Sequence, residues 1–120
     1  MRCSLKEILL TAIILVLLDL PWLFFSQKYV DKMILSIQGS PLKMNYWAGG
    51  VVYLAMAFLL LQVKTPQEAF YIGAATYAVY DFTNLATLKN YDPKFAIADS
   101  LWGGILFYTA HTVMEKIGFF

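Results

Sequence analysis

Residues 5–25 read LKEILLTAIILVLLDLPWLFF, and after Glu7 the single ionisable side chain in that stretch is Asp19. A helix gains about 1.5 Å per residue, so roughly 20 apolar residues cross about 30 Å of hydrocarbon. This stretch is therefore expected to span a bilayer. Arg2 and Lys6 precede it as in a secretory signal, but Asp19 and Pro21 stand where a small-residue cleavage site would be, so an uncleaved first span is expected.

Three further segments of similar length follow, from Tyr46 to Val63, Gln67 to Leu88 and Ala96 to Ile117. The last two mix Gly, Ala, Thr and Tyr with large aliphatics, as expected of helices that face protein on one side. Short connections at Lys64–Pro66 and Lys89–Phe95 make neighbours antiparallel. The expected fold is an all-α, four-helix transmembrane bundle in which residues 1–120 form a single integral membrane domain.

Ser26 to Met44, the longest connection, has its own pattern. Val30, Met33, Ile34 and Ile37 recur at helical spacing while Lys28, Asp31 and Lys32 take other faces, and Gly39-Ser40-Pro41 closes the segment. This predicts a short amphipathic helix between spans 1 and 2, either lying in the interface or packed on the protein itself.

Composition agrees with the bilayer reading. Of 120 residues, 60% are hydrophobic and 14% charged, and the mean hydropathy is +0.62, well above soluble domains. The net charge of +1 offers no electrostatic footprint for nucleic acid, so no nucleic-acid partner is expected. Cys3 is the lone cysteine, which leaves no intrachain disulfide and no multi-cysteine zinc site.

A charge at mid-bilayer costs at least about 2.5–3.5 kcal/mol, which makes Asp19, Asp81 and Asp99 the informative residues. If the spans alternate, Asp19 and Asp81 each lie about fourteen residues along their spans and Asp99 about three into its own, which places all three in one layer roughly 5–10 Å inside the membrane face opposite the N-terminus. Trp22, Trp47 and Trp102, all three tryptophans, fall near the same face and are expected as interfacial anchors. Along the third span, Gly73, Tyr77, Tyr80, Asp81, Asn84 and Thr87 draw one polar stripe at helical spacing. Gly49 with Tyr53 and Ala57, and Asp99 with Gly103, share helix faces on which small residues let backbones approach.

Asp19, Asp81, Asn84 and Asp99 thus form the candidate intramembrane cluster. It has two readings. As a functional site it binds a proton or cation; as a structural one, each acid accepts hydrogen bonds from Tyr, Asn, Thr or Trp or pairs with Lys43, Lys89 or Lys94. Catalysis is not expected. His111, the only histidine, falls toward the other face as an interfacial residue, and no nucleophile, metal-ligand or nucleotide motif is present. No catalytic residue, metal or cofactor is assigned.

The run Tyr80-Asp81-Phe82-Thr83-Asn84-Leu85-Ala86-Thr87-Leu88-Lys89, followed by Asp99-Ser100-Leu101-Trp102-Gly103, resembles an uncharacterised family of small predicted four-span membrane proteins found in bacteria and in large DNA viruses of eukaryotes. The resemblance runs from about Gly73 to Leu106. It implies a membrane fold with Asp81, Asn84 and Asp99 as shared polar positions, and no established reaction. With eight lysines against one arginine, it leads to the expectation of a structural, capsid-associated component of the inner membrane of a large icosahedral DNA virus. Its partners would be the lipid bilayer and other virion proteins or further copies of itself. The alternatives are a small proton- or cation-linked carrier or channel, or an accessory subunit of a bacterial membrane complex.

Overall fold

The computed structural model describes residues 2–119 as four α-helices, with no strand among them: α1 Leu5–Gln38, α2 Tyr46–Gln62, α3 Pro66–Thr87 and α4 Pro93–Lys116. The starts are local chemistry. Ser4 accepts the Glu7 amide at 3.2 Å and donates its hydroxyl to the Glu7 carboxylate at 2.8 Å. Thr65 accepts the Glu68 amide at 3.1 Å ahead of Pro66, and Asp92 accepts the Lys94 amide at 2.8 Å ahead of Pro93. Each side chain satisfies an amide left open by the helix start, and a proline in first position has no amide to satisfy.

The separate amphipathic helix expected between the first two spans does not exist as such. Residues 26–38 continue α1 without a break, through Pro21, until Gly39 ends the helix at φ 74° with its amide on the Leu35 carbonyl. The reason is packing. Met33 is buried against Tyr91 and Ala96, Ile37 joins that cluster with Leu85 and Phe95, and the Asn90 amide donates to the Ser36 carbonyl at 3.1 Å. The α3–α4 connection thus supplies the apolar surface that the amphipathic face needs.

Among the described residues, α1 is the helix long and apolar enough to cross a membrane; α2 is apolar but 17 residues long. At 22 and 24 residues, α3 and α4 have the length and carry more polar side chains.

The most intimate pair is α3 with α4. Gly73 and Gly103 sit back to back: a β-carbon on Gly103 would lie 2.6 Å from the Gly73 carbonyl oxygen, and one on Gly104 2.7 Å from the Phe70 ring. Gly49 and Gly50, by contrast, face open space, so the close backbone approach expected at Gly49 does not occur within this chain.

Between the N-terminal end of α1 and the C-terminal end of α4 lies an apolar core of Leu15, Leu60, Leu61, Leu106, Phe107 and Met114, each at most 2% exposed. Arg2 closes that end: it donates to the Phe119 carbonyl at 2.6 Å, pairs with Glu7, and exchanges backbone hydrogen bonds with the Gln62 side chain. Both chain ends and the end of α2 are thereby tied together.

Candidate functional site

Beyond the apolar core the interior turns polar. Asp19 on α1, Asp81 on α3 and Asp99 on α4 are 3%, 0% and 7% exposed, so the bundle buries three carboxyl groups while Leu17, Leu20, Val79, Phe82, Leu101 and Ile105 on the same helices face outward. Burial of a carboxyl group is unfavourable without hydrogen-bond donors. The donors are aromatic.

Asp19 is held by hydrogen bonds from two other helices, α2 and α4. Trp102 Nε1 of α4 donates to its Oδ1 at 2.6 Å and the Tyr53 hydroxyl of α2 donates to its Oδ2, with Tyr77 of α3 within electrostatic range. Asp99 takes the indole N–H of Trp22 at 2.8 Å, and Asp81 takes the Tyr91 hydroxyl at 2.7 Å. Asp99 also interacts with both other acids, lying beside Asp81 and within electrostatic range of Asp19. The second oxygen of Asp81, Oδ2, has no donor among the described residues.

The two tryptophan bonds are reciprocal. Asp19 and Trp22 are three residues apart on α1, Asp99 and Trp102 three apart on α4, and each tryptophan serves the acid of the opposite helix. The two indoles stack at 5.7 Å between ring centroids and 18° between planes. Phe95 continues the stack on Trp22 at 6.4 Å, and Tyr29 on Phe95 at 5.8 Å. A column of four rings therefore runs along the α1–α4 seam, contributing about 0.5–1.5 kcal/mol per pair beyond area burial.

The cluster residues read from the sequence thus come together. Asn84 lies against the hydroxyls of Tyr80 and Tyr91, next to Asp81. No lysine pairs with any of the three acids: among the described residues Arg2 forms a salt bridge with Glu7, and His111 Nδ1 lies 3.3 Å from the Glu115 carboxylate. Trp22 and Trp102 are half-buried donors to carboxylates, whereas Trp47 is 77% exposed at the start of α2. The polar stripe on α3 is narrower than its spacing predicts. Tyr80 is 62% exposed, and the Thr87 hydroxyl turns back to the Thr83 carbonyl at 2.8 Å. His111 is fully buried, with Nδ1 3.3 Å from Glu115, rather than interfacial.

Sequence reading passed over Tyr91, the donor to Asp81, because it lies in a connection with no periodic pattern. The reciprocal bonds did leave a signal, in that the motif Asp-x-x-Trp occurs twice, at residues 19–22 and 99–102.

No three His, Cys, Asp or Glu side chains among the described residues are placed to hold a metal ion. A groove of about 370 Å³ between α1 and α2, lined by Leu9, Ile13, Val16, Gly50, Tyr53 and Leu54, opens sideways and is apolar throughout. Tyr53, which lines it, is also a hydrogen-bond donor to Asp19.

Residues 4–115 match a protein family described as "Predicted membrane protein (DUF2177)". No curated protein and no solved structure matches the chain.

Proposed function

The chain belongs to this DUF2177 family of predicted membrane proteins, and from that premise we propose that it is a four-span, non-enzymatic membrane protein with a structural role, whose buried acids tie its helices together. The observation that carries the reading is the inverted distribution of side chains. On α1, α3 and α4, Asp19, Asp81 and Asp99 are buried while Leu17, Leu20, Val79, Phe82, Leu101 and Ile105 beside them face outward, and α2 turns Val51, Val52, Leu54 and Leu59 outward while its Tyr53 bonds Asp19. Four helices with apolar outer faces suit hydrocarbon on all sides, which supports spans for α2, α3 and α4 as well as α1.

A proton- or cation-linked carrier would need a hydrated path to the acids. The acids instead meet aromatic N–H and O–H donors, and the groove between α1 and α2 that Tyr53 lines is apolar. That favours helix ties over transport.

A structural role requires neighbours. Lys28, Lys32, Lys43, Lys89 and Lys94 are all exposed at the end of the bundle nearest the acids. Cross-linking mass spectrometry on membranes from the native source is expected to join these lysines to other proteins. Links to capsid proteins would place the bilayer in a virion, and links to cellular membrane proteins would make the chain an accessory subunit. Links confined to the chain itself would overturn the structural reading.

A further inference from the structure

One feature of the acid layer is not used by the helix ties. Asp19 has donors on both oxygens and Asp99 has the Trp22 indole, but Asp81 is fully buried with Tyr91 on Oδ1 and no donor among the described residues on Oδ2. The neighbour that Asp81 faces across the α3–α4 seam is Asp99, another acceptor. Two ionised carboxylates in that position repel each other and leave an acceptor unsatisfied; one proton between them converts the repulsion into a short, charge-assisted hydrogen bond.

The surroundings supply no other remedy. The titratable groups facing the pair are Asp19 from α1, Tyr53 from α2 by way of Asp19, Tyr77 and Tyr80 from α3, and Tyr91 from the connection. None is a cation, and no grouping of ligands suitable for a metal ion is present among the described residues. The near contact of Gly73 and Gly103 fixes α3 against α4, so the two acids cannot separate without opening the tightest helix pair of the bundle.

We infer that Asp81 and Asp99 form a proton-binding site within the membrane domain: one proton, resident on Asp81 Oδ2, is donated to the Asp99 carboxylate, and the pair carries a single negative charge. The site goes beyond the structural role and does not depend on which partners the protein has. Deprotonation restores two facing charges across the α3–α4 seam, so proton loss loosens that helix pair.

Infrared spectroscopy of the full-length protein in lipid nanodiscs tests this through the carbonyl stretch of a protonated carboxylic acid, a band that ionised carboxylates lack. The expected result is such a band at neutral pH, shifted in heavy water, present in the wild type and lost in both Asp81→Asn and Asp99→Asn, because either substitution removes the partner that requires the proton. A band that survives in Asp99→Asn would assign the proton to burial of Asp81 alone and overturn the shared site. The wild-type spectrum is decisive even if a variant fails to fold: no protonated-acid band at neutral pH rules the site out.

Discussion

Trp22 and Trp102 stack face to face across the α1–α4 seam, and each donates its indole N–H to the aspartate three residues before the other. Because α1 and α4 are joined by no short loop, this exchange, with the packing of Met33 on Ala96 and of Tyr29 on Phe95, fixes the first helix to the last. Removing one donor leaves a buried carboxylate oxygen unsatisfied. Trp102→Phe and Trp22→Phe are each expected to destabilise the protein by about 1–3 kcal/mol, measured by unfolding in mixed micelles. The double variant should lose less than the sum of the two, since the rings also stack on each other; strict additivity would mean that the two bonds act independently.

Glycine to alanine separates packing sites from bystanders. Gly73→Ala and Gly103→Ala push a methyl group into the facing helix and are expected to cost about 1–3 kcal/mol or more. Gly49→Ala and Gly50→Ala meet open space and should be neutral or stabilising by up to about 1 kcal/mol through helix propensity. Equal effects at the two pairs would contradict the α3–α4 contact.

Continuity of α1 past residue 25 depends on Met33. Amide hydrogen exchange is expected to be slow across residues 26–38, and Met33→Ala, which empties a buried site against Tyr91 and Ala96, should accelerate it there at a cost of about 2–5 kcal/mol. Fast exchange across that segment in the unaltered protein would indicate a hinge after the first span.

The proposed four-span arrangement requires residues 3 and 118 to lie on one face of the bilayer. With a membrane-impermeant thiol reagent, Cys3 and a cysteine at Gly118 should react from one side, and cysteines at Lys43 and Lys89, in a background with Cys3 replaced by Ser, from the other. Labelling of positions 43, 89 and 118 from a common side would mean that α1 alone crosses.

Much of the fold was legible because its signals are local. Apolar length marked the helices and placed the starts of α1, α2 and α3 within a residue, whereas α4 begins at Pro93, ahead of the expected Ala96, because Asp92 caps it there. The common layer of Asp19, Asp81 and Asp99 followed from counting along antiparallel helices of fixed rise. Residues 26–38 were not legible as part of α1. An amphipathic face reports that it needs an apolar partner, and whether that partner is lipid or the α3–α4 connection is decided at a distance. The glycines illustrate the same limit: Gly49 and Gly103 look alike in sequence, and only Gly103 meets another backbone.

The sequence by itself determined that the chain is helical, apolar enough for a bilayer and furnished with three acids within apolar segments, because hydropathy and helix length are properties of consecutive residues. The tertiary structure decided what those acids touch. Hydrogen bonds between residues 77 and 83 positions apart, as from Trp22 to Asp99 and from Trp102 to Asp19, depend on the rotation of each helix about its axis. That rotation is set by the packing of all four helices together, by the Gly73–Gly103 contact above all, and no local pattern specifies it.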